Sequence, residues 1–287
     1  MEEINLEQRK SLMLKMLDIL LKYCQKHNLK IYLAAGTLLG AIRHHGYIPW
    51  DDDVDVMMPI SDWDKLMECV KNDPLPAPYF CSTPKNNPDH MWPFLKLIDS
   101  RTILVEPMLT KKLQEKQEKF YGIYIDIFPM YGLPNEEQEK KSFQHEIDIA
   151  YDEFKKATRV MNRRPTDSFI LYKIRCVLYF FYCLPYKIRG YNHYLRRIFE
   201  LIKKYPLKTS EEFGTFIGIY SAGKDHIKTK YLQYEATALF ETLECPILEN
   251  YHEILGKLYG DYMKIPPENQ RHIHPSYVKW KREREEF

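Results

Sequence analysis

The sequence predicts a mixed α+β protein. It comprises an α/β core over residues 1–133, a largely helical lobe over 134–212, and a C-terminal segment, 213–287, that completes a cleft against the core. Three observations carry this. Up to Leu133, short apolar runs of strand length alternate with stretches of helical period. From Asn135 to about Tyr205 the pattern is helical. Between them in importance stands a run of aspartates, Asp51, Asp52, Asp53 and Asp55, at the start of a predicted strand.

The elements follow in order. Leu6, Met13, Leu14, Leu17, Leu20, Leu21 and Cys24 recur at spacings of three and four, which predicts an amphipathic helix over 6–27. Ile31 to Ala35 is a short apolar strand that Gly36-Thr37 interrupts, and Leu38 to Arg43 opens a helix. His44 to Pro49 is a loop, and Asp53 to Met58 is the next strand. Ser61 and Asp64 have capping-box spacing and start a helix that runs to about Val70. The stretch 73–93 carries six prolines and reads as loop with one short strand. Phe94–Ile98, Ile103–Val105 and Ile123–Phe128 are further strands. Pro165, Pro185 and Pro206 punctuate the helical lobe, and the remainder reads as short helices and loops.

Composition narrows the class. Hydrophobic content of 45% and charged content of 29% fit a globular chain. A net charge of +2 offers no global field for nucleic acid, so none is expected as a partner. The six cysteines are scattered without a C-x-x-C pair, which predicts reduced, buried thiols and no zinc site. Glu2, Glu3, Asn5, Glu7 and Arg9 interrupt any leader-like apolar run, and with the thiols this points to the cytoplasm.

The aspartates carry the chemistry. In an extended segment Asp51, Asp53 and Asp55 share one face, with Asp52, Val54 and Val56 on the other. Three carboxylates on one face repel unless a cation lies between them, and hard oxygen ligands select Mg²⁺, Mn²⁺ or Ca²⁺. An EF-hand fails here, because Val56 stands where glycine is needed, Pro59 falls inside the loop and Asp62 replaces the final glutamate. A strand, a Gly-Thr turn, a helix start and a strand bearing Asp-x-Asp describe a nucleotidyltransferase-like palm with a mixed sheet. Phosphoryl transfer builds charge on oxygens, and Mg²⁺ or Mn²⁺ held by alternate aspartates neutralises it. A glycine turn before a helix brings backbone N–H groups to a phosphate. Asp126, a lone charge in the apolar run Tyr124–Phe128, is the third carboxylate of such a site. The plainer alternative pairs Asp126 with an arginine or lysine.

At this point the residues resemble a known family. Gly36-Thr37-Leu38-Leu39-Gly40-Ala41-Ile42-Arg43, followed by Gly46-Tyr47-Ile48-Pro49-Trp50-Asp51-Asp52-Asp53-Val54-Asp55, resembles the signature of LicD-type phosphocholine transferases, relatives of fukutin and fukutin-related protein. Tyr124-Ile125-Asp126-Ile127-Phe128-Pro129 and Gly132-Leu133-Pro134 resemble a second block, and Tyr259-Gly260-Asp261-Tyr262-Met263 with Pro266-Pro267-Glu268 a third. The resemblance implies transfer of phosphocholine from CDP-choline, or of another phospho-alcohol from a related CDP-alcohol, to a hydroxyl of a lipid-linked glycan acceptor of teichoic acid or lipooligosaccharide type. It implies metal ligation by Asp53 and Asp55 with Asp51 flanking. Asp126 would be a further ligand or the base, and Gly36 and Thr37 would contact donor phosphates. The chain departs from the pattern at Asn269-Gln270-Arg271-His272-Ile273-His274, where a Lys-Arg pair and a His pair are usual, and 135–212 carries no family motif.

Several residues have two readings each. Arg43 binds a phosphate bidentately or balances the aspartates. Lys96 points into the cleft from its apolar strand or lies on a surface face. Arg271, His272 and His274 close the donor site or form ordinary surface loop. The segment 169–205 mixes aromatic, apolar and basic residues. Its apolar run reads as too short to span a bilayer, leaving a peripheral contact on the inner face of the membrane or a buried core helix with snorkelling basic residues. Rival functions keep the aspartates and change the substrate: CDP-ribitol or CDP-glycerol, nucleotidyl transfer, a sugar nucleotide, or a metal-stabilised binding module.

Overall fold

The structure is a computed structural model that describes residues 2–87, 90–105, 111–161, 168–215, 226–271 and 277–281. Helix α1 (Leu6–Lys26) opens on a capping box in which Asn5 and Gln8 bond each other's backbone N–H, and it buries Met13, Met16, Leu17 and Leu20. Then come β1 (Tyr32–Leu33), α2 (Ala35–His44), β2 (Asp55–Pro59), α3 (Ile60–Asn72), β3 (Tyr79–Ser82), β4 (Leu95–Asp99), β5 (Thr102–Val105), α4 (Lys111–Phe120) and β6 (Tyr124–Gly132). Three helices follow, α5 (Glu137–Thr158), α6 (Phe169–Arg189) and α7 (Tyr191–Leu201). The chain continues through β7 (Glu212–Gly214), β8 (Ile227–Lys228), β9 (Glu235–Phe240), β10 (Leu243–Leu248), α8 (Tyr251–Tyr259) and β11 (Tyr277–Trp280). The mixed α+β class holds, with α5, α6 and α7 following one another after β6.

The main sheet runs β1-β2-β6-β4-β3. Only β2 and β6 are parallel; the other neighbours are antiparallel. Its two faces do different work. Val56, Leu95, Leu97, Ile125 and Ile127 are buried in the main core with α1 and with Trp63 of α3, whose indole N–H donates to Ile127 O at 3.1 Å. The opposite face carries Asp55, Asp126 and Lys96.

Four expectations need correction. The Ser61–Asp64 capping box does not form. Pro59 ends β2 with φ of −52° and no side-chain cap, so α3 begins directly at Ile60. Asp62 instead accepts from Lys30 N at 3.0 Å, and Asp64 pairs with Lys203 at 2.6 Å. Gly36-Thr37 does not separate strand from helix, because both lie inside the first turn of α2. Pro185 does not end a helix; it lies within α6 on the exposed side. The stretch after 207 is not only helix and loop. There β7 joins the second half of β6, β9 and β10 form a hairpin, and β11 pairs with β5. Such short strands carry too little alternation to read until a partner edge supplies their hydrogen bonds.

Helix α1 also clamps the loop that leads into β2. Arg9 Nη1 meets Asp52 Oδ2 at 2.6 Å, both side chains almost fully buried. Lys10 Nζ donates to Ile48 O at 3.3 Å and Pro49 O at 3.0 Å, and Tyr47 OH donates to Lys10 O at 3.0 Å. Removing one partner of a buried ion pair leaves an uncompensated charge. Arg9→Ala is expected to cost roughly 3–5 kcal/mol in denaturant unfolding. Lys22→Ala, which breaks the exposed pair with Asp18, should cost at most about 0.5 kcal/mol.

Candidate active site

The site is built from the loop before β2, the first turn of α2, and three adjacent strands. Asp55 begins β2. Its N–H donates to Thr37 Oγ1 at 2.8 Å, and its carbonyl accepts from Ala34 N at 3.1 Å. Thr37 is buried, so its hydroxyl locks strand to helix. Gly36 faces Asp51, and a Cβ there would lie 2.6 Å from Asp51 Oδ2. The Asp51 carboxylate therefore packs against the opening turn of α2, where the helix dipole favours an anion.

Strand register then assembles a row. Asp55 of β2 is paired with Asp126 of β6, and Asp126 is paired with Lys96 of β4. Side chains directly opposite in a sheet share a face, so the three stand side by side. Lys96 Nζ meets Asp126 Oδ1 at 2.5 Å. The ammonium is 1% exposed and lies over the rings of Tyr124, Trp92 and Phe94, at 3.1, 4.5 and 5.1 Å from their centroids. It neither projects freely into a cleft nor lies on the surface. The row continues to Ser82 of β3, opposite Lys96, whose hydroxyl is 3.0 Å from His90 Nδ1. Burial, with the Lys96 charge also contributing, pushes the His90 imidazole down to about 3, so it is neutral at physiological pH.

The electrostatics follow from the crowding. Burial raises the Asp55 carboxyl well above the usual carboxylate range; the charges of Asp53, Asp126 and Asp51 raise it further, and Lys96 opposes them. Oxygens of Asp51, Asp52 and Asp53 also come within 4.8 Å of one another. Asp52 is paired with Arg9 and Asp126 with Lys96, and the charges of Asp51, Asp53 and Asp126 all bear on Asp55, so the residues that could hold a cation are Asp51, Asp53 and Asp55 with Asp126 beside them. All their donors are hard oxygens, and a divalent cation would remove the repulsion that disfavours ionised Asp55.

The C-terminal segment closes one side. Among the described residues Arg43 turns its guanidinium to the C-terminal segment and to His44 rather than to the aspartates. Its guanidinium donates to Tyr262 O at 2.7 Å and Lys264 O at 3.3 Å, and its Nε lies 3.0 Å from His44 Nε2. It fastens that segment to α2. Arg271 stacks over Trp50 at 4.3 Å and donates to Pro266 O at 3.3 Å, beside the aspartate loop. His272 and His274 lie outside the described residues. Tyr259, at the end of α8, is the residue sequence reasoning gave no role. Its side chain is 44% exposed, yet desolvation leads in raising its hydroxyl, followed by Asp55, Asp51 and Asp53. The signal available for it was its place in the third block. Glu241, in the β9–β10 turn at φ of 56°, accepts from Tyr47 N at 2.9 Å, and its own N–H donates to His45 O at 2.9 Å. All six cysteines are free thiols, four of them buried.

The sign of the Asp55 shift gives a test. Its folded-state value lies above the unfolded one, so its contribution to stability is fullest below the unfolded value and falls as pH rises through the folded one. In chelated buffer, Asp55→Asn is expected to raise the melting temperature at neutral pH and to flatten the loss that sets in as pH rises above the ordinary carboxylate range. An unchanged slope would remove the repulsion argument.

Comparison with known proteins gives consistent findings. Residues 28–160 match the nucleotidyltransferase domain of the LicD/FKTN/FKRP family. Over 97% of its length the chain is 26% identical to the lipopolysaccharide cholinephosphotransferase LicD of Haemophilus influenzae, all of which is covered. A segment of 31 residues is 58% identical to uncharacterized proteins of Rickettsia prowazekii and Rickettsia typhi, spanning 12% and 10% of those chains.

Proposed function

From a chain that belongs to the LicD family through its nucleotidyltransferase domain, we propose a metal-dependent phosphocholine transferase that moves phosphocholine from CDP-choline to a hydroxyl of a lipopolysaccharide-type glycan. The observation that carries the reading is the gathering of carboxylates: Asp55 stands opposite Asp126 across β2 and β6, next to the loop where oxygens of Asp51, Asp52 and Asp53 lie within 4.8 Å of one another. So dense a set of carboxylates beside a helix N-terminus suits a cation and a phosphate together. The relative in Haemophilus is named a lipopolysaccharide cholinephosphotransferase.

Asp53 and Asp55 would hold Mg²⁺ or Mn²⁺, with Asp51 and Asp126 at its sides. When bound, the ion would supply charge neutralisation on the phosphate oxygens. The acceptor hydroxyl oxygen forms a bond to the phosphorus that carries choline, and the bond from that phosphorus to the bridging oxygen breaks. CMP leaves with the bond's electron pair. The hydroxyl proton passes to Asp51 or Asp126. Lys96 holds Asp126 in place through its 2.5 Å bond, and Thr37 holds Asp55 through its backbone. Arg271 and Trp50 form a wall beside the aspartate loop against which the donor is positioned.

One observation favours a second reading. The rings of Trp92, Phe94 and Tyr124 surround the Lys96 ammonium, so this aromatic cluster is already filled by a cation of the chain itself. A trimethylammonium group prefers such a cluster. CDP-ribitol or CDP-glycerol, which need none, would leave the mechanism intact.

Calorimetric titration with CDP-choline, CDP-ribitol and CDP-glycerol, with Mg²⁺ and again with EDTA, separates these. Metal-dependent binding of CDP-choline alone is the expected result; binding of none would defeat the donor class. Mg²⁺ at about a hundred times its dissociation constant should raise stability by ~2.7 kcal/mol. Asp53→Ala is expected to abolish both that increment and transfer while the far-ultraviolet circular dichroism stays the same.

A further inference from the structure

Helix α6 has its polarity reversed for a helix in water. Its inner stripe of Tyr172, Cys176, Tyr179, Cys183 and Tyr186 lies toward α5 and α7 and is half-buried or buried. Its outer face is apolar: Ile170, Ile174, Val177, Leu178, Phe181 and Ile188 are all more than half exposed, up to 77%. Only 6% of its most apolar window is buried, and by length and composition the helix could cross a membrane. The run is neither too short to cross a membrane nor packed in a core, which corrects those two sequence expectations; the peripheral contact is the third.

Charge identifies what covers this face. Residues 169–189 contain no aspartate or glutamate, and Lys173, Arg175, Lys187 and Arg189 are all basic. Aromatic and aliphatic residues flanked by basic ones, with no acidic residue in the same helix, complement an anionic lipid surface rather than a second copy of the same cationic face. The helix is also tied along its length. Tyr172 OH donates to Met161 O at 3.3 Å, Lys187 Nζ donates to Arg159 O at 3.4 Å, and the Lys156 ammonium lies 5.0 Å from the ring centroids of both Tyr182 and Tyr186. Crossing a bilayer would draw α5, with Asp152, Glu153, Lys155 and Lys156, into hydrocarbon. We infer that α6 lies in the plane of an anionic phospholipid surface, with Ile170, Ile174, Val177 and Phe181 in the acyl boundary and its basic residues among the headgroups.

The inference stands on this helix alone, so vesicle binding without donor or acceptor tests it separately from the transferase reading. The full chain would be sedimented with phosphatidylcholine vesicles and with vesicles that also contain phosphatidylglycerol, at low and at high salt. The expected result is pelleting with phosphatidylglycerol vesicles, weakened by salt. Ile174→Glu with Phe181→Glu should abolish it without changing the melting temperature. Lys173→Gln and Arg175→Gln should each weaken it by about fivefold. The inference is overturned if the wild type stays in the supernatant, or if the glutamate pair pellets equally well. It is also overturned if sedimentation equilibrium shows a dimer that the glutamate pair splits while vesicles bind neither form.

Discussion

Repulsion among the carboxylates is the constraint on which the rest of the structure depends. Asp51, Asp53, Asp55 and Asp126 are brought together in a place where Asp55 has lost most of its water. Left to themselves, like charges separate or take up protons. The fold answers with rigid attachments. The parallel register of β2 and β6 fixes Asp55 beside Asp126, and the antiparallel register of β6 and β4 brings Lys96 to bear on Asp126. One buried ammonium against four carboxylates leaves the balance negative, which is the electrostatic reason a divalent cation suits the site.

The attachments come from parts of the chain far apart in sequence. Arg9 and Lys10 of α1 seize the aspartate loop from one side, taking Asp52 out of the cluster and holding the carbonyls of Ile48 and Pro49. Glu241 holds the same loop from the β9–β10 turn, at a backbone angle uncommon for a residue with a side chain. Arg43 and Arg271 bind the C-terminal segment to α2 and to Trp50. The loop is therefore gripped by the first helix, a late hairpin and the C-terminal segment. Their cooperation matters because phosphoryl transfer depends on position more than on any special reactivity of a side chain.

Away from the site, α6 departs from the rule that a folded chain turns its apolar faces inward. The main core is well filled without it, as the fully buried Met13, Leu17, Trp63, Ile125 and Ile127 show. An exposed stripe of this size therefore adds nothing to folding in water, and on the inference drawn above it meets a lipid surface.

Much of the site was legible in the residue order. Asp-x-Asp at a strand start and a lone Asp126 in an apolar run are local patterns, and local patterns survive without tertiary information. The same holds for α1, where three- and four-residue spacing carries the buried stripe. What the order could not settle was decided by partners. The identical charges of Arg43, Lys96 and Arg271 have three fates, two carbonyls, a carboxylate with three rings, and an indole face, because each fate depends on what the fold brings near. The strands after residue 207 form because β6, β5 and each other offer edges with open hydrogen bonds, and no period in a run of two to six residues announces that. For α6 the sequence by itself determined the apolar, acid-free composition. Only the tertiary structure decided that this surface faces outward, because burial belongs to the neighbours a helix finds and not to the helix itself.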